Sequence, residues 1–354
     1  MNRLNSTVSR RTFLAGTAGA VAAPMMLSGS PVAAASNSVV VLSTGGSFTD
    51  SLTRHVFDPF TKGTGITVTI VPAPLDLAKI KAMQITGNVT WDIWNGQGTS
   101  AASGSKQGFW EEQDHSLLDL QDLVVQPTKD VTWFESYASG IAWDPAKYGP
   151  GKHPSTFAEF FDVKKFPGRR VLHPFADGNM EMALLADGVA PKDIYPLDVD
   201  RAFKVLNRIK SSVVWARQTP QLISLLQSGE ADFSYAYPNR VKATNEPGGG
   251  KPLAFSFEQN LLWSDPLTIL KGAPNKDNAM RLIAYWLRPE VQANLENDLG
   301  LIPGSKKALT TMSPEAKKWV PPNSNNPNNL VINMEYWAEN LETLGARMKE
   351  WLLI

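Results

Sequence analysis

Short apolar or alternating runs recur along this 354-residue chain with amphipathic stretches between them, and that alternation limits the fold more than any other feature. The runs are Val39 to Leu42, Ile66 to Val71, Trp91 to Trp94, Gly140 to Trp143, Arg170 to Leu172, Val213 to Trp215, Phe233 to Tyr237, Leu253 to Phe257 and Leu267 to Leu270. Read as strands with helices between them, they predict α/β layers rather than a sandwich or a bundle. Phe203, Leu206 and Ile209 share one face of the segment after Pro196, and Leu222, Leu225 and Leu226 do the same before Gly229 stops that helix. Broad apolar coverage from Asn278 to Leu287 suits a helix against a core, with Pro289 in the first turn of the next. Trp337, Leu341, Leu344, Met348 and Trp351 keep helical spacing to the C-terminus. Tyr148-Gly149-Pro150-Gly151 and Glu246-Pro247-Gly248-Gly249-Gly250 read as exposed turns. Pro321-Pro322 and the asparagines that follow, Asn323 and Asn325 among them, read as an irregular loop.

The chain opens with Ser9-Arg10-Arg11-Thr12-Phe13-Leu14, then a weakly apolar run from Ala15 to Leu27 and the small residues of Pro31-Val32-Ala33-Ala34-Ala35. This is the layout of a twin-arginine export signal, Arg10 and Arg11 being its pair, with cleavage expected near Ala35. The run is too short and too rich in Gly and Ala for a membrane span of about 20 strongly apolar residues. Without that leader, whose three charges are all Arg, 31 basic residues face 34 acidic ones, a formal charge of −3. The basic residues are scattered among acids, so there is no cationic stripe of the kind that nucleic-acid binding requires. No cysteine is present, which excludes disulfides, thiolate metal sites, Cys nucleophiles and a lipid-anchored N-terminal Cys. About 319 residues after the leader exceed what one core usually organises, so two lobes are expected in a free, exported protein.

Six elements in order then carry a family resemblance over nearly the whole mature length. They are Phe60-Thr61-Lys62-Gly63-Thr64-Gly65-Ile66-Thr67-Val68; Trp91-Asp92-Ile93; Ser155-Thr156-Phe157 through Phe166-Pro167-Gly168-Arg169-Arg170-Val171; Leu225 to Asp232; Trp263-Ser264-Asp265-Pro266-Leu267; and Ala273-Pro274-Asn275-Lys276 through Trp286 to Val291. In these the chain resembles the spermidine/putrescine-binding branch of bacterial extracellular solute-binding proteins. The resemblance implies a type II periplasmic-binding-protein fold: two α/β lobes, each a mixed sheet flanked by helices, joined by crossing strands with the ligand cleft between. One lobe is expected at 36–140 plus 265–309, the other at 141–264 plus 310–354. It also implies a monomeric periplasmic receptor that closes by hinge bending and hands its solute to a cognate ABC permease in the inner membrane.

Trp263 and Asp265 match the family's Trp-x-Asp, whose acid accepts hydrogen bonds from a ligand ammonium while the indole packs on adjoining methylenes. A desolvated cation needs such a carboxylate, and an indole face adds roughly 0.5–2 kcal/mol. Ser43-Thr44-Gly45-Gly46-Ser47-Phe48 replaces the aromatic and acidic residues usual in polyamine binders. With two glycines and Ser47 beside Phe48, this loop is expected to offer amide N–H groups to a polar or anionic end, although a simple tight turn also explains the glycines. Gln97 and Thr99 fall where the family places ligand contacts, and Tyr235 and Tyr237 alternate on a strand that family members direct at the cleft. Arg217 stands where polyamine binders have a small polar residue. A guanidinium there would repel a diamine and suit a carboxylate, and of the second acidic pair only Asp177 remains nearby. A putrescine- or spermidine-like polyamine is therefore one expected guest, and a zwitterion such as 4-aminobutyrate, with its amine on Asp265 and its carboxylate on Arg217, is the other.

Neither a cofactor nor a metal is expected. The four histidines, His55, His115, His153 and His173, lack ligand spacing, which weighs against a ferric-iron binder. An exported enzyme is the remaining rival, but no nucleophile elbow, HExxH helix or dinucleotide fingerprint in context occurs.

Overall fold

Two strands dominate the architecture of the computed structural model, which describes residues 37–72, 77–322 and 326–354. The twin-arginine segment with Arg10 and Arg11 lies outside the described residues, as do Asn323 and Asn325 of the Asn/Pro loop. The strands are β1 (Ser38–Ser43), β2 (Thr67–Pro72), β3 (Ile93–Trp94), β4 (Val131–Trp143), β5 (Arg170–Leu172), β6 (Val213–Trp215), β7 (Phe233–Ala236), β8 (Ala254–Phe255), β9 (Leu261–Ile269), β10 (Ile302–Pro303) and β11 (Leu330–Val331). They run in the order β2-β1-β3-β9-β4-β7-β5-β6, with β8 and β10 also on β4 and β11 on β9. Pairs of β1 with β2 and β3, and of β5 with β6 and β7, are parallel; the pairs made by β4 are antiparallel, so the sheet is mixed.

β4 is the hub. Val131 to Ser139 pairs with β9, whereas Gly140 to Trp143 pairs with β7. The expected strands at Gly140 to Trp143 and Leu267 to Leu270 are thus only the ends of two much longer ones, of 13 and 9 residues. The unrecognised stretches carry Thr132, Glu135, Ser136 and Ser139 in β4 and Ser264, Asp265 and Pro266 in β9, residues that break an apolar pattern. The parallel strands at Arg170 to Leu172 and Val213 to Trp215 form where expected. β5 is buried along its length, whereas β6, at the edge of the sheet, is half-buried.

Separate cores fill the two ends of the β4 ladder. Phe134, Ile93, Phe57 and Trp286 pack together at one end. Ile141, Trp143, Phe157, Phe160 and Trp337 pack at the other. The expected helices form at Val199–Leu206, Gln221–Gln227, Lys276–Trp286 and Pro289–Leu299. The C-terminal helix Met334–Leu353 buries Trp337, Leu344 and Met348. It also packs along helix Gly98–Gln107, where Lys106 reaches Glu339 at 3.1 Å. Among the described residues no helix is long and apolar enough to cross a membrane.

Candidate functional site

Where β4 and β9 pair, residues from seven parts of the chain bound one crevice. Thr44 and Phe48 follow β1; Asn95, Gly96 and Gln97 follow β3; Glu135 and Tyr137 come from β4; Thr219 precedes helix Gln221–Gln227; Tyr237, Asn239 and Arg240 follow β7; Asp265 comes from β9; and Leu301 follows helix Pro289–Leu299. The space they bound, open solvent at its mouth included, is about 510 Å³. Among the described residues no group of three or more His, Cys, Asp or Glu side chains is placed to hold a metal ion.

The cationic wall is Arg240, on helix Pro238–Thr244. Pro238 pre-sets the first helical turn, and Tyr237, still extended, precedes it, so Tyr237 and Arg240 emerge at the same end of β7. Arg240 is 6 % exposed. Its guanidinium donates to the Gly45 carbonyl at 3.1 Å and to Thr44 Oγ1 at 3.3 Å, and its Cζ lies 5.7 Å from the Phe48 ring centroid. These partners are neutral, and no carboxylate forms an ion pair with Arg240 among the described residues. Burial pulls its pKa down to about 10, which still leaves it charged at neutral pH.

The loop after β1 is folded for that arginine. Thr49 Oγ1 accepts the Gly45 N–H at 2.9 Å, so this amide is used within the turn and the Gly45 carbonyl faces the guanidinium. The loop therefore presents an oxygen to Arg240, where the expectation was amide N–H groups for a polar or anionic end. Gly46 has φ +64°, and a Cβ there would stand 2.8 Å from Arg240 Nη1. Both conditions call for glycine. Ser47 is half-buried and is not among the residues that bound the crevice, whereas Phe48 is.

The acidic wall is Asp265, directly opposite Glu135 in the β4–β9 ladder, just past a register irregularity between Trp133 and Glu135. An irregularity of this kind re-aims side chains locally. Glu135 lies between Asp265 and Glu296, which comes from helix Pro289–Leu299. Burial drives all three carboxyls up: Asp265 to about 7, Glu296 to about 8, and Glu135 well above the carboxylate range, pushed further by its two acidic neighbours. Tyr137 and Tyr237 form the aromatic wall, edge to face with centroids 5.5 Å apart.

Trp263 takes a different position from the one expected of a cleft residue. Its ring stacks on Tyr137 at 6.4 Å, its indole N–H donates to Ser139 Oγ at 2.7 Å, and it does not bound the crevice. Tyr235 is likewise set back, its hydroxyl 2.5 Å from the same Ser139 Oγ. Arg217 is exposed and is not among the crevice residues, so the guanidinium expected there is supplied by Arg240. Gln97 bounds the crevice as the residue preceding helix Gly98–Gln107. Thr99, two residues further on, is fully buried and donates to Asp177 Oδ2 at 2.5 Å.

Arg240, Glu135 and Tyr137 were not singled out in the sequence. Glu135 was findable as an acid within the otherwise apolar alternation Val131, Trp133, Glu135, Tyr137. Arg240 carries no local signal, because only the packing of its helix against the loop after β1 makes it a crevice residue.

A mixed α/β molecule with a polar crevice at two crossing strands has the build of a two-lobe solute receptor. The chain belongs to the bacterial extracellular solute-binding protein family, whose model matches residues 55–323. It is similar to the gamma-aminobutyric acid-binding protein of Pseudomonas aeruginosa, at 29 % identity over 90 % of this chain and 92 % of that protein. The spermidine/putrescine-binding periplasmic protein of Escherichia coli K12 is 21 % identical over 76 % of this chain and 79 % of its own. Among solved structures, AgtB of A. tumefaciens R10 in complex with agropinic acid superposes with a TM-score of 0.82 at 34 % identity, covering 90 % of this chain and 99 % of that one. These relatives are solute binders and not enzymes, in agreement with the lack of a catalytic motif.

Proposed function

We propose that this chain is the periplasmic receptor of an ABC importer and that it captures a zwitterion whose amine and carboxylate are separated by a short chain, in the manner of an ω-amino acid such as 4-aminobutyrate. The observation that carries this is the pairing, across one crevice, of the Asp265 carboxylate with a buried Arg240 that has no ion-pair partner among the described residues. A buried guanidinium bonded only to neutral oxygens favours an anionic guest, since its fork matches a carboxylate bidentately. Asp265 favours an ammonium, and Tyr137, Tyr237 and Phe48 favour the methylenes between. One guest that carries both charges neutralises both walls. The relative from P. aeruginosa, a binder of gamma-aminobutyric acid, supports this chemistry. Export through the twin-arginine route and closure of lobes 36–140 plus 265–309 against 141–264 plus 310–354 complete the proposal.

A polyamine is the second guest to test, supported by the neighbouring carboxyls of Asp265 and Glu135 and by the E. coli relative. Arg240 opposes it, because an ammonium entering the crevice meets a desolvated positive charge. Calorimetry with 4-aminobutyrate, putrescine and spermidine separates the two. Asp265→Asn and Arg240→Ala are each expected to weaken the zwitterion by roughly 2–5 kcal/mol, about 30-fold to several thousand-fold, and Arg217→Ala to leave it bound. Tight putrescine binding that improves in Arg240→Ala would replace the zwitterion by a diamine.

A further inference from the structure

Three acids run in a row inward from the crevice wall: Asp265 on β9, Glu135 on β4 and Glu296 on helix Pro289–Leu299. Glu135 is 1 % exposed and Glu296 0 %. Neither carboxylate oxygen of Glu135 has an N–H or O–H partner among the described residues. Glu296 accepts from the Leu301 amide at 3.1 Å through Oε2, while its Oε1 has none. The groups that face Glu135 electrostatically are Asp265 from β9 and Glu296 from its helix. Tyr137 on its own strand and Arg240 from helix Pro238–Thr244 complete its charged and titratable surroundings. β10, paired at Glu135 and Ser136, brings only Ile302 and Pro303. Two adjacent dry carboxylates with no donor between them cannot both stay ionised, as in any carboxyl pair that shares a proton. The hydrogen that satisfies Glu135 must therefore be carried by the carboxyls themselves.

Resting on the amine-binding role of Asp265, we propose that Glu135 is a protonated positioning residue that donates to Asp265, and that this carboxyl row releases a proton to solvent when an ammonium group docks on Asp265. The balance is simple. Before capture the row holds its protons because burial raises the pKa of Asp265 more than Arg240, the cation facing it across the crevice, lowers it. An incoming ammonium, which keeps its own proton, stabilises the Asp265 carboxylate, and the proton displaced from the row goes to water or buffer. Glu135 stays neutral, so the crevice shows the guest one negative charge where the β4–β9 ladder sets two acids opposite one another. This selects a single ammonium over two, and it makes capture weaker as the medium acidifies, by about tenfold per pH unit once the row is fully protonated.

Two measurements on the full chain test this, one of them without ligand. In the ligand-free protein at neutral pH, infrared difference spectroscopy is expected to show a protonated-carboxyl band that Glu135→Gln removes and Glu181→Gln does not. Glu296 and Glu181 add bands of their own, so the readout is the component lost in Glu135→Gln: absence of any such loss overturns the proposal whatever the solute proves to be. Calorimetry with 4-aminobutyrate, or with putrescine if only the diamine binds, is then run in buffers of different ionisation enthalpy. Net proton release is expected near pH 7, moved to another pH range in Glu296→Gln. Binding without any proton release between pH 6 and 8 overturns the proposal and leaves the amine site intact. Binding of the amine that is indifferent to Asp265→Asn overturns the amine site and with it this inference.

Discussion

Arg240 and Gly46 make a matched pair in the wall of the crevice. The guanidinium fills the space a Cβ on Gly46 would need, and the left-handed φ at Gly46 is one that an L side chain seldom adopts. Gly46→Ala is therefore expected to cost about 1 kcal/mol of stability through backbone strain. It should also displace the guanidinium, with a loss of affinity of about tenfold or more, because small misplacements of a clamping group are costly. Thermal melts and calorimetry on the one variant separate the two effects. Equal affinity in Gly46→Ala would mean that Arg240 does not grip the guest. Arg217, by contrast, lies exposed outside the crevice, and its removal belongs in the same series as the control.

At the scale of elements, the parallel strands Arg170–Leu172 and Val213–Trp215 and the helix Gln221–Gln227 were legible, since their apolar residues go straight into a core. β4 and β9 were only half legible. Their missing halves carry the polar residues that bound the crevice or support it, among them Glu135, Ser139 and Asp265, so the requirements of binding erase the periodic signal there. Trp263 from β9 and Tyr235 from β7 meet on the one Ser139 hydroxyl of β4, holding Tyr137 from behind. Helix Gly98–Gln107 is tied in by the bond from Thr99 to Asp177, a carboxyl that burial pushes up to about 6. Thr99→Val keeps the shape and removes the donor, leaving that acid unsatisfied. Urea denaturation is expected to register a loss of about 1–3 kcal/mol, recovered by Thr99→Ser. An unchanged midpoint would show that the bond does not contribute to stability.

For the whole molecule, the buried acids set the direction in which stability changes with pH. Asp177 is pushed up to about 6, Glu181 and Asp265 to about 7 and Glu296 to about 8, in each case with burial as the main cause. The folded chain therefore holds more protons than the unfolded one between the ordinary carboxylate range and pH 8, and stability falls as pH rises through that window. His173 acts oppositely: burial pulls it down to about 4, so it costs stability as pH falls below 6.5. Above 6.5 only the acids act. Ligand-free protein is thus expected to be less stable at pH 8.5 than at 6.5 by about 1–3 kcal/mol in urea titrations at fixed ionic strength, and Glu296→Gln to reduce the slope. A rise in stability over that interval would contradict the protonated burial of these groups.

The sequence by itself determined the α/β layering, the family and the position of Asp265, because apolar periodicity and short ordered motifs are local properties of the chain. Tertiary structure alone decided that Arg240, not Arg217, is the cation of the crevice, that Tyr137 stands in front of Trp263, and that Glu135 is wedged between two other acids. The reason is that a binding wall is assembled from residues far apart in the chain, and which side chain meets the solvent-filled gap depends on how two crossing strands and the helices beside them pack.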